Sequence, residues 1–304
     1  MDSLSFLSDY GFRYKSVPVS RLHDLEKEYM STLKNNGFDG KLYEKSISRL
    51  SFNIPENFPG AESIVIIAVP SYRSEACFRY SGKDYQLTIP PTYIGYNDTP
   101  GEVQKIISES LNPIDYKFVK TVLPLKILAV HSGLAYYGRN NITYIDGLGS
   151  FYQLVSFFSN MLAEDHDWYG LRMLGRCEHC SACVKVCPTG TINDDRFLIK
   201  AERCITFFNE NGYEFPEWMN AEAHNSLIGC MLCQYICPEN KKIRDFVDHK
   251  TWFTEKETDD ILKADKLDDL DNEARTKLMS LDLIDTHTDF NTLKRNLIIL
   301  LNKN

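Results

Sequence analysis

No stretch of this 304-residue chain approaches the roughly 20 consecutive apolar residues that a membrane-spanning helix requires, so no membrane partner is expected. The acidic opening Met1-Asp2-Ser3 lacks the basic and then apolar profile of a secretory signal, and the expected location is cytoplasmic. Positive charge is scarce as well. Lys and Arg number 34 against 42 Asp and Glu, a formal net charge of -8, and no basic block interrupts that balance. Because phosphate neutralisation by Lys and Arg supplies most nucleic-acid affinity, the balance argues against a nucleic-acid partner. The turn Gly147-Leu148-Gly149 has neither the third glycine nor the following helix of a dinucleotide loop, which argues against nicotinamide binding there. Signs of disorder are also missing: with 43% hydrophobic and 25% charged residues, the chain can build one large core or two ordinary ones.

What the sequence does hold is cysteine, unevenly placed: nine in all, eight of them between positions 177 and 237. A reducing cytosol does not favour disulfides, so the cluster reads as a metal module. The first set, Cys177-x2-Cys180-x2-Cys183-x3-Cys187-Pro188, is the bacterial ferredoxin run, in which three thiolates take corners of one cubane and the fourth reaches to another. The second set, Cys230-x2-Cys233-x3-Cys237-Pro238, repeats the end of the first and lacks its leading cysteine. Cys204, from a helix-like segment, supplies the missing ligand. By the crossed rule cluster one takes Cys177, Cys180, Cys183 and Cys237, and cluster two takes Cys187, Cys204, Cys230 and Cys233. Structural zinc is the rival reading, since C-x2-C pairs are common to zinc sites, but no further Cys or His pair completes separate tetrahedra. Cys77 stands far off and reads as a small buried hydrophobe. His179 reads as a solvated side chain able to tune a cluster by hydrogen bonding, and His131 as a structural histidine.

The periodicities give an α+β chain in three parts: an α/β region over residues 1–170, a double-cluster module over 171–245 and a helical cap over 246–304. Leu22, Leu25, Tyr29 and Leu33 share one face of a helix expected to stop at Gly37. Ile64 to Val69 suit a fully buried strand. Thr99-Pro100-Gly101-Glu102 reads as a capping box opening a helix. Tyr116 to Val122 is expected as a strand and Leu125 to Ser132 as a short helix. Two further strands are expected at Ile142 to Ile145 and Phe151 to Phe158, either side of the turn Asp146-Gly147-Leu148-Gly149. From Asp245 onward the pattern is helical. Single-electron clusters need about 60 residues, so the α/β region is the place for an electron-accepting cofactor or substrate.

The two cysteine sets with the single cysteine between them resemble the epoxyqueuosine reductase family, cobalamin-dependent iron-sulfur enzymes related to reductive dehalogenases. The likeness extends to Phe58-Pro59-Gly60-Ala61-Glu62-Ser63, to Ser132-Gly133-Leu134 and to Tyr137-Gly138-Arg139-Asn140-Asn141. It implies an N-terminal nitroreductase-like fold holding cobalamin, a ferredoxin-like double [4Fe-4S] module that feeds it electrons, and a candidate corrin pocket of Tyr137, Arg139, Asn140, Gly149 and Ser150. This sequence departs from the family at three places. Counting back from Ser132 to the family's aspartate general acid gives Val119, beside Lys120, and the nearest acid is Asp115. The family's tryptophan-isoleucine-glycine-lysine element reads Tyr136-Tyr137-Gly138-Arg139. Of the C-terminal helical repeat only its start, Leu293-Lys294-Arg295-Asn296-Leu297, is matched.

Two functions follow. One is a cobalamin-using reductase of a small molecule, with Tyr137 or Tyr93 as proton donor in place of the lost aspartate. The other is an electron-transfer protein that reduces a corrinoid or flavin on a partner. Either would draw on a ferredoxin- or flavodoxin-type donor. Epoxyqueuosine reduction on tRNA is the third reading, weakened by the missing acid and the negative charge.

Overall fold

The computed structural model describes residues 3–35, 49–111, 115–193 and 197–303; the expected helix stop at Gly37 lies outside them. Among the described residues, nine strands run in chain order as β1 Arg13–Pro18, β2 Ser63–Pro70, β3 Arg73–Tyr80, β4 Lys83–Ile89, β5 Phe118–Lys120, β6 Tyr136–Tyr137, β7 Thr143–Tyr144, β8 Tyr152–Ser159 and β9 Val247–Phe253. The chain divides into two compact units whose segments interleave. Unit 1 comprises Met1–Pro70, Asn97–Cys180 and Asp194–Ile199; unit 2 comprises Ser71–Tyr96, Ser181–Asn193 and Lys200–Asn304.

Unit 1 is built on an antiparallel sheet in the order β1-β2-β8-β5. Successive side chains of a strand face opposite sides of its sheet, so a strand covered on both sides has no polar position. In β2, Ile64, Ile66 and Ala68 pack with Leu25, Ile127, Leu128 and Val130. Val65 and Ile67 point the other way, to Val103, Ile107 and Phe157. That is why Ile64 to Val69 reads as an unbroken apolar run, each such side chain contributing about 2 kcal/mol on burial. The Leu125–His131 helix covers the first face and ends at Gly133, whose φ of +83° an L side chain rarely adopts. The Thr99–Ser110 helix begins as expected, but it follows Asp98 and carries no side-chain cap hydrogen bond; Pro100 sets its first turn instead of the capping box.

Unit 2 holds a second sheet, β4-β3-β9. Ser81 and Gly82, both at positive φ, turn β3 into β4, and β9 adds in parallel from the far end of the chain. The expectation of an entirely helical segment after Asp245 is therefore corrected. Its strand was hidden because nearly every residue of β9 is exposed or half-exposed and only Phe253 is buried, which leaves no apolar alternation to read. Phe253 stacks on Phe78 of β3 at 4.5 Å between ring centroids, and helices Glu255–Lys263, Asn272–Met279 and Phe290–Leu301 close the core.

A buried ion pair fastens β9 to β3. Glu75, 2% exposed, accepts hydrogen bonds from Arg73 at 2.6 Å and from Lys250 of β9 at 3.0 Å. Burial alone would raise this carboxyl, but the hydrogen bonds from Lys250, Arg73 and Gln86 outweigh it and hold the group below its ordinary 4.5. Replacing Glu75 with Ala removes the buried acceptor shared by half-buried Arg73 and exposed Lys250 and should cost about 2 kcal/mol, measured by urea unfolding. Because the folded-state carboxyl is the stronger acid, the stabilisation is present above pH 4.5 and is lost on acidification below it. E75A should flatten that acid limb of the stability curve; an unchanged limb would refute the assignment.

Candidate functional site

Six of the eight clustered cysteines belong to unit 2: Cys183, Cys187, Cys204, Cys230, Cys233 and Cys237; Cys177 and Cys180 belong to unit 1. In unit 2 the repeat seen in the sequence becomes a repeat of structure. Cys183 lies in the short helix Ala182–Val186 and Cys233 in Leu232–Tyr235, and the two helices pack together. Each is followed by a Cys-Pro step at Cys187 and Cys237, where proline cannot continue the helix. Cys204 sits at the N-terminal boundary of the Ile205–Glu210 helix.

Cys187, Cys204 and Cys230 come close enough for their charges to interact. Burial pushes the Cys204 thiol up to about 11 and raises that of Cys230. Hydrogen bonds pull the other way: the hydroxyl and N-H of Thr206 donate to the Cys204 sulfur, and the Leu232 N-H and the Asn225 amide donate to that of Cys230. Half-buried sulfurs that accept hydrogen bonds suit a metal ion, which displaces the thiol proton on binding. Among the described residues, no three His, Cys, Asp or Glu side chains are placed to hold one metal ion. A cubane spreads its thiolates over four irons and needs them wider apart than a single ion does. Cys77 is buried on β3, with Gln86 and Trp252 as its strand partners.

Tyr93 falls beside this group. Its hydroxyl donates to Glu210, its ring lies against Gly229, and burial together with the charges of Glu210, Cys204 and Cys230 keeps it protonated. Gly229 has φ +63°, and a Cβ there would collide with the Tyr93 hydroxyl. The backbone just ahead of Cys230 is thus free of a side chain so that the phenol can approach. Thr206, Asn225, Glu210 and Gly229 were not singled out from sequence; only Gly229, adjacent to a ligand, offered a signal.

The residues implied for a corrin pocket lie in unit 1. Tyr137 is buried, with Phe197 edge-on at 4.9 Å, and its backbone bonds to Arg172 and Leu174, three residues short of Cys177. Burial holds its hydroxyl far above the ordinary phenol value. The Arg139 guanidinium donates to the Cys177 carbonyl, so this loop is tied directly to the first cysteine. The Asn140 amide holds its own loop, donating to the Tyr144 hydroxyl at 2.9 Å and accepting from the Ile142 N-H. Gly149, at φ +54°, closes a turn onto Ile145, and Ser150 is buried behind it. Lys126 was also missed. Its amine donates to the Asn141 carbonyl at 3.3 Å and is solvent-accessible, yet surrounding protein depresses it below the usual lysine value. Tyr93 and Tyr137 belong to different units.

Residues 176–240 match the family described as a 4Fe-4S double cluster binding domain. An epoxyqueuosine reductase from Bacillus cereus is 27% identical over 208 residues, 63% of this chain and 51% of that protein. One from Cellulophaga algicola is 27% identical over 46% of this chain and 45% of its own length, and one from Cyclobacterium marinum is 24% identical over 77% and 76%. The chain thus spans about half the length of the first two relatives. The structure of epoxyqueuosine reductase from Streptococcus thermophilus superimposes with a TM-score of 0.69 at 18% identity, covering 99% of this chain and 80% of that one. The Bacillus subtilis enzyme, with its catalytic loop swung out of the active site, gives 0.67 at 19% over the same shares. An epoxyqueuosine reductase with an epoxyqueuosine-modified tyrosine-tRNA stem loop gives 0.69 at 18%. In sequence and in fold, the chain is similar to epoxyqueuosine reductases, and its residues 176–240 match a 4Fe-4S double cluster binding domain.

Proposed function

We propose that this chain is an iron-sulfur oxidoreductase of the epoxyqueuosine reductase type, in which residues 171–245 carry two [4Fe-4S] clusters and feed electrons to a cofactor held by the N-terminal α/β residues. The convergence of Cys187, Cys204 and Cys230, donors far apart in sequence, carries the reading. Cys233 completes their set, and Cys177, Cys180, Cys183 and Cys237 form the other. The cofactor we propose is cobalamin, which when bound and reduced supplies a strongly nucleophilic metal centre. The residues suit such a group in that the loop of Arg139 and Asn140 is pinned by hydrogen bonds to its own residues and to Cys177. Tyr137 and Arg139, with Asn140, Gly149 and Ser150 shaping the loop, would hold the cofactor. Tyr137 keeps its proton and is the proposed donor to a developing alkoxide. Tyr93, bonded to Glu210 beside Cys204 and Cys230, is placed to shield the second cluster.

The expectation against nucleic acid is revised. The relatives are named epoxyqueuosine reductases and one similar structure holds a modified tRNA stem loop, so a tRNA-borne epoxide is the substrate the comparisons favour. One observation supports a small molecule or a partner's corrinoid instead: where an acid is expected the chain has Val119 and Lys120 on β5, and Asp115 lies outside that strand.

Three measurements follow. Cys204→Ala should lower iron from about eight to about four per chain, whereas Cys77→Ala should leave it unchanged; equal effects would reject the ligand assignment. Anaerobic protein mixed with hydroxocobalamin should retain it with a base-off spectrum, and Arg139→Ala should weaken retention; no retention favours reduction of a partner-bound cofactor. Expression in a strain lacking its epoxyqueuosine reductase should restore queuosine in tRNA if the tRNA reading holds, and failure with intact clusters selects the other substrate.

A further inference from the structure

Cys204 and Cys230 reach the second cluster from two segments that share no secondary structure, and a third segment holds both. Asn296, fully buried on the Phe290–Leu301 helix, donates through its side-chain amide to the Asn209 carbonyl at 2.9 Å and to the Leu227 carbonyl at 3.0 Å. Asn209, also fully buried, lies on the helix that begins at Cys204, and its amide donates to the Gly229 carbonyl at 2.8 Å. The Ser226 hydroxyl donates to the same carbonyl at 2.7 Å, which fixes the peptide that leads into Cys230. Next to Asn296, the Arg295 guanidinium donates to the Phe208 and Tyr213 carbonyls, both at 2.6 Å.

We propose that Asn296 is a positioning residue for the second cluster: through Asn209 and Leu227 it sets the separation of Cys204 and Cys230. The inference rests on the two-cluster reading. Its surroundings, Leu293, Leu297 and Leu300, are apolar, so packing alone would be served by leucine. The amide nitrogen of Asn296 serves the Asn209 and Leu227 carbonyls while its oxygen accepts from the Arg295 guanidinium at 3.0 Å, and a buried carbonyl left without a donor is disfavoured. The last helix thus acts on the metal site without touching the metal.

Three variants of the full chain test this: Asn296→Leu, Asn296→Asp and Leu300→Ala, purified anaerobically. Aspartate keeps the size of asparagine and loses both donors, while L300A weakens the same helix without touching the network. N296L and N296D should lose about half of the iron, or shift the EPR signal and reduction potential of one cluster while the other stays unchanged. L300A should melt at lower temperature but keep full iron and both signals. The proposal falls if N296L and N296D match the wild type in iron, EPR and potential, or if L300A loses the same share of iron. A wild-type protein without iron would instead remove the two-cluster reading, and this proposal with it.

Discussion

The structure turns on bringing two half-buried cysteines, Cys204 and Cys230, near one another although a long excursion of chain separates them. Burial favours the protonated thiol, so under the proposed function each becomes a ligand only as a metal takes the proton's place. Thr206, Leu232 and Asn225 reduce that cost by donating to the sulfurs, and the fold arranges those donors with short elements that have little stability of their own. The six-residue helix after Cys204 and the four-residue helix holding Cys233 are stable only as part of unit 2. The Phe290–Leu301 helix packs on the first of them, and Leu227 and Ile228, just ahead of Cys230, belong to the core built by β3, β9 and the C-terminal helices.

The double-cluster domain matched over residues 176–240 was legible in sequence because its chemistry demands fixed spacing. A Cys-x2-Cys-x2-Cys-x3-Cys-Pro run states its ligands because the backbone must wrap a body of set size. Strands with both faces covered were legible too, since Ile64 to Ala68 had no polar choice to make. β9 was not, because its residues are mostly exposed and it is held by Glu75 and Lys250, partners that no local period can reveal. Nor could sequence show that residues 71–96 fold with the C-terminal part: the hairpin turn at Ser81-Gly82 is local, but the parallel pairing of β3 with β9 is not. The Asn296–Asn209–Gly229 chain was invisible for the same reason, since a buried asparagine in a helix looks like an exposed one until its partners are known.

Under the proposed function, the likeness to epoxyqueuosine reductases and the residues of this chain agree on electron transfer and differ at the proton donor. A module that delivers electrons is indifferent to what finally receives the proton, so the cysteine framework can be kept while the proton donor changes. Tyr137 joins the two concerns: its backbone is bonded to the segment entering Cys177, and its protonated hydroxyl lies in the unit that contains Lys126.

The Mössbauer spectrum of anaerobically purified wild-type protein, taken with iron and acid-labile sulfide analysis, tests the central claim most directly. The account predicts about eight iron and eight sulfide per chain, all in diamagnetic [4Fe-4S] sites as isolated. Colourless protein containing zinc, with neither iron nor sulfide, would contradict it.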